Sequence, residues 1–240
     1  MSARRVRAAR ALVLRPEPGN ARTVVALRAR GVEAVGVPLF AVRALDWGVP
    51  DAGAFDALLL TSANAVRVGG AALTALAALP VVAVGAATAT AARAAGLRVA
   101  VTGDGDAAAA VAAAGGAFPR LLHLAGREHV ELPGVARVIT YASEHVAVAP
   151  GALSAAVDGV VLLHSARAAA RFAELAADLP RDLPRERVSV AALSASVADA
   201  AGTGWARVAI ADAPNDARLI EAAMRMIDPT CGRGDNAGHE

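Results

Sequence analysis

Leu58-Leu-Leu-Thr-Ser-Ala-Asn-Ala65 returns 103 residues later as Val161-Leu-Leu-His-Ser-Ala-Arg-Ala168. Each copy is a short apolar run that ends in polar residues and passes into alanine-rich sequence, the pattern of a buried strand leading into a helix. The next unit repeats as well. Val81-Val-Ala-Val-Gly-Ala-Ala-Thr-Ala-Thr-Ala-Ala-Arg-Ala-Ala-Gly96 returns at an offset of 106 as Arg187-Val-Ser-Val-Ala-Ala-Leu-Ser-Ala-Ser-Val-Ala-Asp-Ala-Ala-Gly202, which sets Thr88 opposite Ser194. More weakly, Leu12-Val-Leu-Arg-Pro16 matches Leu122-His-Leu-Ala-Gly126, and Val37-Pro-Leu-Phe40 falls opposite Ile139-Thr-Tyr-Ala142. Two halves with one order of βα units are predicted.

Outward from these copies the same alternation continues. Strand-length runs at Ala11–Leu14, Ala57–Thr61, Val81–Val84, Arg98–Val101, Leu121–Leu124, Gly159–Leu163, Val188–Ala191 and Arg207–Ala211 read as parallel strands buried on both faces. Helices are predicted at Gly19–Arg30, Asn64–Ala78, Thr88–Ala95, Ala107–Ala114, Ala166–Ala177, Ser194–Ala201 and Asn215–Ile227, where alanine's helix propensity dominates. The fold class is α/β with parallel sheets.

Composition removes several chemistries. All 24 basic residues are Arg, which excludes Schiff-base and lysine-dependent phosphate chemistry. The single cysteine, Cys231, allows no intrachain disulfide and no Cys-x-x-Cys metal site, and suits a reducing cytoplasm. His123, His129, His145, His164 and His239 show no metal-ligand spacing. No apolar run approaches the eighteen or so residues needed to cross a bilayer, and Ala11–Leu14 is too short for a secretory leader. Four Arg lie in the first ten residues, read as a solvated basic arm; the other 20 stand against 22 acidic residues. With one Tyr, four Phe and two Trp there is little to stack on bases, so no nucleic-acid partner is expected.

Ser62 and Ser165 each close a strand and open a helix, and Thr88 and Ser194 hold the corresponding place one unit later. Two readings fit these hydroxyls. They are ordinary N-caps, or they join with helix N-termini at the carboxyl edge of a parallel sheet to hold an anionic ligand. Gly103-Asp-Gly-Asp-Ala-Ala108 formally fits a dinucleotide loop, but its two carboxylates would face the pyrophosphate, and a loop with helix-starting acids accounts for it. Neither serine stands in a Gly-x-Ser-x-Gly elbow. A non-catalytic two-lobed protein that senses a small anion is therefore an alternative to an enzyme.

Leu14-Arg15-Pro16, Val37-Pro38-Leu39, Leu60-Thr-Ser62-Ala63-Asn64-Ala-Val66, Val84-Gly-Ala-Ala-Thr88-Ala89, Val138-Ile-Thr-Tyr141, Leu163-His-Ser165-Ala-Arg-Ala168 and Ser194 before Gly202 fall in the order and at about the spacing of one known family. The chain resembles the uroporphyrinogen-III synthase family over roughly residues 11 to 227. The resemblance implies two similar α/β domains with parallel sheets joined by a two-stranded linker, one domain inserted in the other. The first would take 1–38 plus 150–228, the second 43–138, with linkers at 39–42 and 139–149 and a disordered tail at 229–240.

It also implies a lyase of tetrapyrrole biosynthesis. Hydroxymethylbilane, a linear tetrapyrrole, loses its hydroxyl as water and closes with inversion of ring D, with no metal or organic cofactor and no macromolecular partner; a cytoplasmic monomer is expected. Tyr141, the one tyrosine, matches the family tyrosine proposed to assist departure of the hydroxyl. Read from the residues alone, it serves equally as a linker aromatic with a hydrogen-bonded hydroxyl. Arg15, Ser62, Ala63, Asn64, Thr88, Ser165 and Ser194 fall on positions implied to bind substrate, Ser194 standing where the family usually has Thr. The family places Ser62, Thr88 and Ser165 at an interdomain cleft.

The segment 229–240 opens with Pro and is rich in Gly and polar residues, so it cannot bury enough apolar surface to order itself. Its removal should leave the melting midpoint within about a degree of the full chain, and Cys231 should react readily with a thiol reagent in the folded protein; a drop of several degrees would show that the tail docks.

Overall fold

Runs that are apolar on both faces form strands only where helices cover both sides of the sheet, and the computed structural model has two such sheets. It describes residues 9–179 and 181–227. Residues 1–8 of the expected basic arm and the segment 229–240 with Cys231 lie outside them, whereas Arg10 of that arm opens the first strand and donates to Val157 O at 3.0 Å. In chain order the strands are β1 (Arg10–Val13), β2 (Glu33–Gly36), β3 (Phe40–Ala44), β4 (Ala57–Leu60), β5 (Val81–Ala83), β6 (Val99–Thr102), β7 (Leu121–Gly126), β8 (Ala136–His145), β9 (Val160–Leu163), β10 (Ser189–Ala192) and β11 (Arg207–Ile210). The helices are α1 (Gly19–Arg28), α2 (Ala63–Val68), α3 (Gly70–Thr74), α4 (Ala86–Ala94), α5 (Ala107–Ala114), α6 (Ala166–Asp178), α7 (Ala195–Ala201) and α8 (Asp216–Ile227).

The chain divides into two units, Val42–Glu144 and the sequence on either side of it. The five-stranded sheet runs β11-β10-β9-β1-β2, parallel throughout. Leu12 and Leu14 point to one of its faces, with Phe172 and Trp205, while Ala11 and Val13 meet Leu27, Leu219 and Ile220 on the other. That alternation is the period of two expected of a strand covered on both sides. The six-stranded sheet runs β3-β8-β7-β4-β5-β6. From β8 to β6 it is parallel, with Leu58, Leu60 and Leu122 on one face and Ala57, Leu59 and Val82 on the other. β3 lies along β8 in the opposite sense, Leu45 N donating to Thr140 O at 3.0 Å and Val146 N to Leu39 O at 2.9 Å.

The internal repeat is realised in strand rank. β4 and β9, β5 and β10, and β7 and β1 hold equivalent places, so β6-β5-β4-β7-β8 superposes in order on β11-β10-β9-β1-β2. The units differ in where the chain enters, one being a circular permutation of the other.

One connection breaks the likeness. β1 passes to β2 through α1, whereas β7 reaches β8 through nine residues, 127–135, with no helix. Pro133 and Gly134, the latter at φ +77°, suit a turn rather than a helix.

Two further details differ from the sequence reading. The single helix expected over Asn64–Ala78 is split into α2 and α3, because Gly70 sits at φ +57° and a helix cannot continue through it. β2 was not among the predicted strands. It is short, at the sheet edge and only partly buried, so it lacks the continuous apolar signature. Among the described residues no helix is long and apolar enough to cross a membrane.

Phe172 on α6 is fully buried and stacks on Trp205 with ring centroids 5.3 Å apart; the Arg185 guanidinium lies over the indole at 4.9 Å. Phe172→Ala should cost about 3–5 kcal/mol, the range for an aromatic removed from a tight core. Denaturant unfolding with the slope held constant would measure it, and a loss under about 1 kcal/mol would show that the core collapses around the gap.

Candidate functional site

Because the sheet interiors are apolar, side chains that carry chemistry collect where the strands end. In the unit of Val42–Glu144, β4 delivers Thr61 and Ser62 to the carboxyl edge. Ser62 caps α2, its Oγ accepting from Asn64 N at 3.1 Å. The Asn64 side chain accepts in turn from Arg67 at 3.0 Å, and Ala63 is buried.

Thr61 Oγ1 lies 3.0 Å from Nε2 of His123, which projects from the middle of β7 and is 2% exposed. Burial, assisted by the neighbouring His129 and Arg137, pushes His123 down to about 4. At neutral pH the ring is therefore uncharged and its bond to Thr61 is between neutral partners.

Gly126 ends β7, and the Tyr141 ring of β8 lies against it. A Cβ on Gly126 would come within 2.7 Å of the ring, so glycine is what permits the approach. Arg127 N donates to Tyr141 O at 2.8 Å. His129 Nδ1 is 2.8 Å from Gly126 O and 3.1 Å from Arg127 O; with two carbonyls as partners, Nδ1 carries the hydrogen. Thr61, Ser62, His123, Gly126, His129 and Tyr141 line one cavity of about 270 Å³.

The equivalent strand ends in the other unit carry a network of bonded polar side chains. β9 delivers His164 and Ser165, and Ser165 Oγ caps α6 by accepting from Ala168 N at 3.2 Å. Asp216, the first residue of α8, accepts from Arg15 Nη1 at 3.0 Å, Thr23 Oγ1 at 3.0 Å and His164 Nε2 at 2.8 Å. Burial raises the Asp216 carboxyl, but the bonds from His164 and Thr23 and the charge of Arg15 outweigh it and hold the group below the ordinary range. His164 is lowered by burial, which exceeds the opposing pull of Asp216. Arg15, expected among substrate ligands, is thus bound within its own unit.

The four hydroxyls expected at matching helix starts separate into two kinds. Ser62 and Ser165 are true N-caps. Thr88 is buried in the first turn of α4, whose N-cap is Gly85, and Ser194 occupies the N-cap of α7 without a capping bond, its Oγ 3.0 Å from Ser196 Oγ. In the glycine loop Asp106 caps α5, accepting from Ala109 N at 2.7 Å, as expected of a helix-starting acid.

The structure therefore brings Ser62 and Tyr141 to one cavity and ties Arg15 to Asp216. Thr61, His123, His129, His164 and Asp216 were missed by sequence reasoning. A signal existed for two of them: His123 interrupts an apolar strand, and His164 replaces Thr61 in the repeat. Among the described residues no group of three His, Cys, Asp or Glu is placed to hold a metal ion.

The depressed His123 has a thermodynamic consequence. Below about pH 6.5 the unfolded chain takes up a proton that the folded ring refuses until about pH 4. Its contribution is complete above that window and is lost as the pH falls through it, at most about 3 kcal/mol. His164 acts in the same sense. Stability measured against pH should fall from 6.5 to about 4, and His123→Gln should flatten the slope; an unchanged slope would show that His123 titrates normally.

A family model for uroporphyrinogen-III synthase HemD matches residues 21–221. Comparison with curated protein sequences finds no significant match. Among solved structures, the fold is similar to uroporphyrinogen-III synthetase from Helicobacter pylori 26695, with a TM-score of 0.62 at 14% identity over 91% of this chain and 99% of that one. It is also similar to a mutant uroporphyrinogen III synthase from the extremely thermophilic bacterium Thermus thermophilus, with a TM-score of 0.50 at 17% identity over 90% of this chain and 98% of that one. With the family model spanning most of the sequence and the two-sheet architecture beside it, the chain belongs to the uroporphyrinogen-III synthase family.

Proposed function

We propose that the protein converts hydroxymethylbilane to uroporphyrinogen III as a cytoplasmic monomer, with Tyr141 assisting departure of the hydroxyl. The observation that carries the reading is the family match across residues 21–221; Tyr141 in the same cavity as Ser62 supports its site. A proton is delivered to the hydroxymethyl oxygen and water leaves, giving an azafulvene cation. The substituted α-carbon of ring D bonds to it in a spiro intermediate, the bond from that carbon to the ring C bridge breaks and re-forms at the other α-carbon of ring D, and loss of the proton there restores aromaticity and balances the one delivered. The bilane closes spontaneously to the wrong isomer, so the protein's main task is to hold one folded conformation of a flexible polyanion.

Ser62, Ala63 and Asn64 at one strand end and Ser165 at its repeat partner offer hydroxyls and backbone N–H groups to the substrate carboxylates, with Thr88, Ser194 and Arg15 supporting the same rims. We read 1–38 with 150–228 and 43–138 as the two domains, joined through 39–42 and 139–149. A non-catalytic anion sensor has no comparable support, because the matched family is enzymatic.

Purified protein should give the type III isomer from enzymatically generated hydroxymethylbilane, with no added cofactor and after metal chelation. Type I product alone, at the spontaneous rate, would defeat the assignment. In the same assay Tyr141→Phe should slow turnover about fivefold, the effect of one hydrogen bond among many. A loss on the order of 10²- to 10⁴-fold in a folded variant would instead make the phenol a general acid.

A further inference from the structure

We infer that His129 is a positioning residue for Tyr141, its imidazole pinning the peptide on which the phenol ring rests. The inference deepens the cyclisation reading, and only its kinetic arm rests on that reading. The connection from β7 to β8 has no helix and thus no internal ladder of hydrogen bonds to fix it, yet it borders the cavity that holds Tyr141. Backbone bonds from Arg127 N to Tyr141 O and from Val135 N to Leu132 O hold its two ends, and side chains must shape what lies between. His129 Nδ1–H donates to the carbonyls of Gly126 and Arg127, and the Tyr141 ring covers the bare α-carbon of the same Gly126. The glycine peptide is thereby held by an imidazole on its carbonyl while its α-carbon seats a phenol ring.

Beyond the ring, Glu131 pairs with Arg137 on β8, four residues before Tyr141; its Oε1 lies 3.3 Å from His129 Nε2, which makes no hydrogen bond among the described residues. The side chain of His129 is 13% exposed and its Nε2 is buried, which suits a strut better than a group that touches substrate. Its other neighbour is the His123 ring, edge-on at 6.3 Å between centroids.

The sequence has one tyrosine, so protein labelled with ring-¹³C tyrosine reports on Tyr141 alone. His129→Ala should shift and broaden that signal and lower kcat about fivefold with KM unchanged. His129→Asn, whose amide nitrogen donates from near the Nδ1 position, should restore both, whereas His129→Gln should behave like Ala. Combined with Tyr141→Phe, His129→Ala should add no further loss, since both act through one hydroxyl.

An unmoved ring signal in a folded Ala or Gln variant, failure of Asn to rescue, or additive losses would overturn the inference. If Ala does not fold, equal behaviour of Asn and Gln overturns it by itself. A wild-type protein that makes no type III isomer would defeat the cyclisation reading and leave the ring signal to decide the role of His129.

Discussion

Burial of both faces of the parallel strands governs everything else in this protein. Every residue of β4, β5, β9 and β10 is buried, so those strands have no side on which a charged group can meet water. Chemistry is displaced to the strand ends, where Thr61, Ser62, His164, Ser165, Arg15 and Gly126 lie. His123, a titratable group that projects from mid-strand, shows the constraint. It is tolerated there as a neutral ring with a hydroxyl partner, and burial is the first cause of its lowered pKa. Removing the Thr61 hydroxyl would strand the buried ring, which costs more than the bond contributes.

The recurrence of Leu58–Ala65 at Val161–Ala168 made the architecture legible, since an offset repeat of two successive βα units survives only where the strands take equal rank in two sheets. Even the weak match of Leu12–Pro16 to Leu122–Gly126 corresponds to equivalent strands, β1 and β7. Local rules located most helices and missed the break at Gly69-Gly70, where alanine propensity on both sides masks a backbone that only glycine adopts easily. β2 was illegible for another reason. An edge strand with one buried residue carries no periodic signal to read.

Family order singles out Tyr141 and, together with helix-start chemistry, Ser62, and these two residues share one cavity. The network at Asp216 was not. Its partners Arg15 and Thr23 are 201 and 193 residues away in sequence, and no local pattern encodes which carboxylate will meet which guanidinium across that distance. Capping misled in the opposite direction, because a hydroxyl near a helix start looks the same whether it caps, like Ser165, or lies a turn inside, like Thr88.

The two units then show how one arrangement gives opposite results. α8 and α5 follow the equivalent edge strands β11 and β6, and they begin at Asp216 and Ala107 respectively. Asp216 gathers three donors at the strand ends, whereas Ala107 can bond none and lines a cavity. In the repeat Pro16 stands opposite Gly126. Pro16 leads the chain into α1, which packs Thr23 against the carboxylate; Gly126 leads instead into a helix-free turn and leaves its α-carbon open to a phenol ring. A carboxylate exchanged for a methyl, and a proline for a glycine, set a bonded polar network in one unit against a pocket in the other on the same sheet framework. The space beside Tyr141 stays open because the residue that starts α5 gathers no donors across it.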